Sequence, residues 1–127
     1  MVHHFDGLAA YAAHRTPLER ELAGADSADI DNIFLEKALD IVPRNSTYAL
    51  LEPASIDVAQ RSYKMAALTY LALPGYVRFL LLPRREMPPS SASYILCYFC
   101  DTSPFDQRWT RVWESSDRGL VIGLLRH

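Results

Sequence analysis

Two short apolar runs flank a segment with helical periodicity, and this order is the strongest restriction on the fold. The first run is "TYALL", residues 47–51, and the second is "YVRFLLLP", residues 76–83. Between them, apolar side chains recur every three or four residues over residues 59–71, before Pro74-Gly75. Strand, helix and strand in this order are typical of a βαβ crossover between parallel strands. We therefore predict an α/β fold with one βαβ unit.

Three further segments extend the predicted sheet. "YILCYFC", residues 94–100, carries no charge and is typical of a strand buried on both faces. Residues 109–114 alternate between apolar and polar, 115–119 form a turn, and "LVIGLL" returns, which predicts an antiparallel hairpin. We expect a single mixed sheet of about five strands, with residues 77–82 and 94–100 in its interior. Residues 84–93 are predicted to be an exposed loop, and Ser103-Pro104 can begin a short helix.

Helices are predicted before the first strand. The capping box over residues 16–19 and Gly24 bound a short helix, and a second runs from after Ser27 to Ile41. We interpret Asp26, Asp29 and Asp31 as a cap on that second helix, with a cation site as the alternative. We predict one domain over 1–127, with 1–26 as a helical N-terminal extension and 27–127 as its core.

Composition excludes several functional classes. The net charge of −2 argues against a nucleic-acid-binding protein, because such proteins carry a strong basic excess. Half of the 127 residues are hydrophobic, as expected for a globular chain. No apolar run approaches the roughly 20 residues that span a bilayer, so we expect a soluble domain.

Cys97 and Cys100 are the only cysteines, in the C-x-x-C spacing of redox centres and half zinc sites. In a continuous strand their Cα atoms would lie roughly 10 Å apart, beyond disulfide reach, and their side chains would point to opposite faces. We therefore expect two buried free thiols. A thiol-redox or metal protein that uses both cysteines is the alternative.

No catalytic residues and no cofactor are predicted. The chain has no phosphate-binding glycine loop, no nucleophile elbow and no zinc-protease motif. His3, His4 and His14 are interpreted as solvated rather than as metal ligands. The helix that begins near Ser55 offers an anion site only in the sense that any βαβ junction does.

Arg84 and Arg85 are the candidate binding residues. They follow Pro83 at the end of the second apolar run and open the exposed loop. Two guanidinium groups on a rigid corner can contact a phosphate, a lipid headgroup or an acidic protein surface. The alternative is a solvated pair that keeps the strand edge from aggregating. We expect replacement of both arginines by alanine to leave stability unchanged.

Over about residues 30–126 the chain resembles the soluble extracytoplasmic domains of bacterial multi-spanning membrane proteins that look like polyprenyl-linked sugar transferases and their uncharacterised relatives. The similar segments are "DNIFLEKALDIVPRNSTYALL", "YVRFLLLPRR", "SSASYILCYFC" and "VWESSDRGLVIGLL". The resemblance implies that the chemistry of the parent protein lies in its membrane part, so no catalytic residue is carried over.

These observations leave three hypotheses. The first is a non-enzymatic soluble module on the extracytoplasmic side of a bacterial membrane, with a docking or substrate-path role. Its partner would be the membrane part of the parent protein, or an anionic lipid or phosphate group. The second is a small enzyme with a thiol or metal site. The third is a cytosolic α/β domain that binds a ligand or a protein. Free cysteines are unusual in an oxidising compartment, so the cytoplasm is the alternative location.

Overall fold

Three parallel strands and an antiparallel hairpin share one sheet. The computed structural model describes residues 30–117 and 119–127. In chain order the elements are α1 (Asn32–Ile41), β1 (Thr47–Leu51), α2 (Ile56–Tyr63), α3 (Ala67–Leu80), β2 (Arg85–Glu86), β3 (Tyr94–Tyr98), a 3₁₀ turn (Ser103–Phe105), β4 (Trp109–Glu114) and β5 (Leu120–Leu125). The predicted helix over 16–24, Asp26 and Asp29 lie outside the described residues.

The strand order is β2-β1-β3-β5-β4. β1 pairs in parallel with both β2 and β3, so that Tyr48 lies opposite Glu86 on one side and Tyr94 on the other. β5 runs antiparallel to β3 and β4 and closes the hairpin. The predicted α/β fold, with a βαβ unit and one mixed sheet of five strands, is therefore confirmed, and residues 94–98 lie at its centre.

The starts of the first two helices follow their capping residues. The Asp31 carboxylate accepts a hydrogen bond from the backbone N–H of Phe34, 2.9 Å away, and α1 ends at Ile41 before Pro43. The Ser55 hydroxyl accepts from the N–H of Val58 in the same way. Each cap satisfies a backbone donor that has no partner inside its own helix. Asp31 is thus a helix cap, as interpreted from the sequence.

The prediction that residues 77–82 form an interior strand is wrong. Most of that segment is the last turn of α3, and Pro74 lies inside the helix rather than at its end. The buried residues Leu73, Val77 and Leu81 continue a four-residue spacing through the proline. Packing of that line against the core outweighs the missing backbone hydrogen bond and the low helix propensity of Pro74 and Gly75. The returning strand of the βαβ unit is instead the two-residue β2.

The sheet separates two apolar clusters. On one face the three helices cover the alternate strand residues; this cluster includes Phe34, Leu35, Leu73, Val77, Tyr48, Leu96 and Ile122. On the other face the loop after β2 and the 3₁₀ turn cover the sheet; this cluster includes Ala49, Ile95, Cys97, Phe105, Trp109 and Val121. Because both faces are covered, β3 and β5 are apolar on both sides.

Arg84 connects the ends of two helices, and the prediction that it is exposed is wrong. Its side chain is only 7% exposed. The guanidinium donates to the carbonyl oxygens of Val42 at 2.6 Å, Leu39 at 3.1 Å and Leu81 at 3.3 Å. These carbonyls lie at the C-terminal ends of α1 and α3, where backbone acceptors lack helical partners and the helix dipole favours a cation. Burial and the nearby Arg44 lower the pKa of Arg84.

We expect Arg84→Ala to destabilise the fold by about 2–4 kcal/mol, because three carbonyls at the helix ends, two of them in buried hydrogen bonds, lose a charged donor together. Arg84→Lys should restore only part of this, since an ammonium cannot form the planar fork. Urea unfolding measures both effects. The exposed neighbour provides the control: Arg85→Ala should change stability by less than about 0.5 kcal/mol. Equal, small effects of the two alanine variants would contradict the buried role of Arg84. The earlier expectation that replacing both arginines leaves stability unchanged no longer holds.

Candidate functional site

Cys97 and Cys100 form a disulfide, so the prediction of free thiols is wrong. β3 ends at Tyr98, one residue after Cys97, and Phe99 takes a left-handed backbone conformation with φ of 58°. The chain therefore turns back, and the two cysteine Cα atoms lie 5.3 Å apart instead of the roughly 10 Å of a continuous strand. Cys97 itself is buried, as predicted, whereas Cys100 is half-buried.

The turn that allows the disulfide is held by the C-terminal hairpin. The N–H of Phe99 donates to the carbonyl of Gly119 at 2.8 Å, and a Cβ at Gly119 would collide with the Phe99 ring. The ring also lies 5.3 Å from that of Tyr63 on α2. A non-glycine residue in this conformation is uncommon and requires support from its surroundings. Gly119 and Tyr63 give that support.

The surroundings of the disulfide favour a structural role over thiol catalysis. Reactive C-x-x-C pairs lie at helix N-termini, where the dipole stabilises a thiolate. Here Asp101 and Thr102 follow Cys100, and the next element is a single 3₁₀ turn. The Asp101 carboxylate faces Ser103, which donates to it through both its hydroxyl and its N–H, and these bonds lower the pKa of Asp101. A negative charge next to Cys100 disfavours thiolate formation.

Arg85 differs from Arg84. It lies in β2 at the edge of the sheet, with its side chain exposed, and its N–H donates to the Ser46 carbonyl. The structure therefore does not bring the two guanidinium groups together on one surface. Ligand binding by Arg85 stays a prediction, whereas the guanidinium of Arg84 is already bonded to carbonyls at the ends of α1 and α3.

A cleft that the sequence did not predict lies at the carboxyl ends of β1 and β2, and we call it the β1–β2 cleft. Its volume is about 320 Å³, and its lining residues are Ala49, Leu50, Glu86, Met87, Pro88 and Pro89. Glu86 lies opposite Tyr48 in the parallel register, and Glu52 follows the end of β1. Ligands of open α/β sheets bind at the carboxyl ends of parallel strands.

Tyr48 and Glu52 do not line the cleft, but the charge of its lining residue Glu86 contributes to a raised pKa at each of them. Burial and the neighbouring Glu86 raise the pKa of Glu52 to about 7. Burial, with Glu86 as a second cause, raises the pKa of Tyr48 to about 12, partly offset by Arg78. The guanidinium of Arg78 lies 3.0 Å from Glu86 Oε1. Glu52 Oε2 and the Tyr48 hydroxyl are buried and have no hydrogen-bond partner among the described residues. A carboxyl group with such a pKa can exchange protons near neutral pH.

A second cleft has a volume of about 270 Å³ and an acidic lining, but each of its carboxylates is bonded to another group of the protein. It lies between the start of α1 and the β4–β5 turn, and Asp31, Glu114 and Asp117 contribute to its lining. Asp31 caps α1, Glu114 lies 2.9 Å from Arg111, and Asp117 accepts from Ser115 and Gly119. Each carboxylate thus has a structural role. Across the described residues, no three histidine, cysteine, aspartate or glutamate side chains are grouped to hold a metal ion.

Within residues 30–117 and 119–127, no helix is both long and apolar enough to cross a membrane. No protein-family model, curated protein or solved structure matches the chain. The resemblance to extracytoplasmic domains of bacterial membrane proteins therefore stays a prediction.

We expect the purified chain to show no reactive thiols before reduction and two after it, as counted by alkylation and mass spectrometry in denaturant. Replacing both cysteines by serine should cost about 2 kcal/mol, the chain-entropy value for so short a loop. Wild-type protein treated with reductant is the matched control, and its urea midpoint should fall to that of the serine variant. Labelling of unreduced protein would contradict the disulfide.

The raised pKa of Glu52 predicts a pH-dependent stability. Because the folded-state pKa of about 7 exceeds the ordinary value of 4.5, the folded state favours the protonated form. Stability should fall as the pH rises from about 4.5 to about 7. Glu52→Gln removes this loss and should be more stable than wild type at pH 8, by on the order of 2 kcal/mol. Urea unfolding at pH 5 and pH 8 measures this, with Asp57→Asn as an exposed control. If Glu52→Gln is less stable than wild type at pH 8, the raised pKa of Glu52 is wrong.

Proposed function

We propose that this domain is a non-enzymatic docking module of a bacterial membrane protein, and that it packs against the surface of an anionic bilayer. The observation that carries the proposal is an apolar stripe on α3. It consists of Leu68, Leu71 and Phe79, and it continues past the helix end at Leu80 to Leu82; the exposure of these four side chains ranges from 57% to 69%. At 3.6 residues per turn Leu68, Leu71 and Phe79 share one side of the helix, opposite the buried residues Leu73 and Val77.

The composition of α3 supports contact with an apolar partner. Arg78 is the one charged residue in its 14 positions, so the helix is apolar on its inner and outer sides alike. A helix of this kind is normally covered on all sides. Contiguous exposed apolar side chains on a protein surface mark sites of contact with proteins or membranes.

The charges around the stripe favour an anionic membrane over an apolar protein surface. Of the five cationic residues between Asp57 and Glu86, Arg61 and Arg78 pair with those two carboxylates and Arg84 is buried, which leaves two cations. Lys64 precedes α3 and Arg85 follows it; both are exposed and form no ion pair among the described residues. They flank a helix roughly 21 Å long. Cations beside an apolar helix surface are the pattern of interfacial helices that bind anionic lipids.

The disulfide supports the extracytoplasmic side as the location. Disulfides persist in oxidising compartments and are rare in the cytosol, where they are mostly catalytic or redox-sensing. The surroundings of Cys97 and Cys100 favour a structural pair, as described above. In this proposal the module lies against the outer surface of the membrane, and the catalytic chemistry of the parent protein lies elsewhere.

Flotation with vesicles tests the proposal. We expect the chain to float with vesicles of phosphatidylcholine containing 30% phosphatidylglycerol, and to float much less with phosphatidylcholine alone or at high salt. Leu71→Glu/Phe79→Glu should abolish flotation, because it places two charges in the apolar contact. Lys64→Glu/Arg85→Glu should weaken it and reduce its salt dependence.

Ile33→Glu is the matched control, since Ile33 is 60% exposed on a different helix. This variant should float like wild type. The proposal is wrong if the stripe variant floats normally. It is also wrong if wild type remains in solution and instead self-associates, or binds a membrane-protein partner, through the stripe.

A further inference from the structure

We propose that the β1–β2 cleft binds a small neutral molecule that carries a cis amide group, with its N–H and C=O on neighbouring atoms. The ligand bonds to the backbone N–H and C=O of Leu50, and its ring lies against Pro88 and Pro89. This ligand site is separate from the α3 stripe and does not depend on membrane docking.

The backbone of Leu50 faces the cleft. Backbone groups of successive residues point to opposite edges of a strand. The carbonyl of Tyr48 accepts from the N–H of Met87 in the β2 segment, so Leu50, two residues later, also turns its backbone groups toward that edge. The pairing of β1 with β2 ends at Glu86, and within the described part of the chain no backbone bond to Leu50 forms on this side. Because Leu50 lines the cleft, its N–H and C=O are open to a ligand.

Pro89 is the reason why the carbonyl of Leu50 has no donor on this edge. The N–H groups of Arg85 and then Met87 donate to β1 carbonyls that are two residues apart. The next donor in this series is residue 89 and the next acceptor is Leu50, but a proline has no N–H. The chain therefore ends its own pairing one step before Leu50 and leaves that position to another molecule.

The pair of free backbone groups determines the class of ligand. In an extended strand the N–H and C=O of one residue point the same way and lie next to each other. A cis amide presents the complementary pair, since its C=O accepts from the Leu50 N–H while its N–H donates to the Leu50 C=O. In a trans amide the N–H and C=O point in opposite directions, so a trans amide satisfies only one of the two groups.

The lining of the cleft selects a neutral ligand of one ring. The carboxylate of Glu86 lines the cleft, and the guanidinium of Arg78 lies 3.0 Å from it. An ionised carboxylic acid would lack a donor for the Leu50 carbonyl and would bring a negative charge next to Glu86. Pro88 and Pro89 provide apolar lining, and a volume of about 320 Å³ is at the small end of ligand sites.

Titration of the full chain with 2-pyridone, followed by the amide NMR signals of Ala49, Leu50 and Leu51, tests the site. We expect a saturable downfield shift of the Leu50 amide proton, because it gains an acceptor. Ala49 and Leu51 turn their N–H groups toward β3, so their signals should move much less. N-methyl-2-pyridone has the same ring and carbonyl without the donor, and its Kd should be about tenfold higher. Benzoate, a ring with an ionised carboxylate, should not bind.

Hydrogen exchange measures the same backbone group independently. In the free protein the Leu50 amide should exchange about tenfold faster, or more, than those of Ala49 and Leu51, since it has no acceptor. Saturating 2-pyridone should slow the exchange of Leu50 and leave that of the other two unchanged. A Leu50 amide that is protected in the free protein would contradict the proposal.

Two proline variants decide between a site and a solvated strand edge. Pro89→Ala restores an N–H that can donate to the Leu50 carbonyl, so it should raise the Kd of 2-pyridone about tenfold. Pro88→Ala is the matched control, because it also removes a proline ring but places its N–H toward the opposite edge; its Kd should change less than about threefold. The proposal fails if 2-pyridone causes no saturable shift, if N-methyl-2-pyridone or benzoate binds as tightly, or if the two variants bind alike.

Discussion

The guanidinium of Arg84 is the interaction on which the helical layer depends. Helices α1 and α3 approach each other at their C-terminal ends, where each leaves carbonyl oxygens without helical partners. Two such ends repel each other, since both dipoles are negative there. A single planar cation with several donors satisfies both at once, through the carbonyls of Leu39, Val42 and Leu81. The same contact fixes where the chain leaves α3, and therefore where β2 enters the sheet and where Glu86 lies.

The fold class was predictable because several signals agree. β1, β3 and the closing hairpin each show an apolar pattern bounded by turn residues, and α1 and α2 begin at capping residues. The error at residues 77–82 arose because short apolar runs have the same composition in a buried helix and a buried strand. Pro74-Gly75 indicated a helix end, but the spacing of Leu73, Val77 and Leu81 continues through it. Packing against distant residues determines that this segment is a helix and not a strand, and such packing leaves no pattern in the local sequence.

The candidate sites were less predictable, since they depend on the position of one residue relative to distant ones. The disulfide requires a left-handed backbone at Phe99, and Gly119, twenty residues later, makes room for that ring. The pKa of Glu52 depends on burial and on Glu86, which is brought near by strand pairing. Arg84 and Arg85 are adjacent in sequence and chemically identical, yet one is buried and the other exposed. The carbonyls of Leu39 and Val42, more than 40 residues earlier, distinguish them, together with the carbonyl of Leu81.

The loop that walls the β1–β2 cleft has a further consequence for the edge of the sheet. β2 contributes only two residues, so β1 beyond Tyr48 would offer its backbone to any passing strand from another molecule. Met87 makes the last backbone bond, donating to the Tyr48 carbonyl, and the next two residues are prolines, which have no N–H to donate. The pairing ladder therefore stops at this point and cannot be continued by the loop. Pro88 and Pro89 instead lie in the cleft beside Ala49 and Leu50, so that the side chains next to the unpaired edge of β1 belong to residues that discourage strand addition.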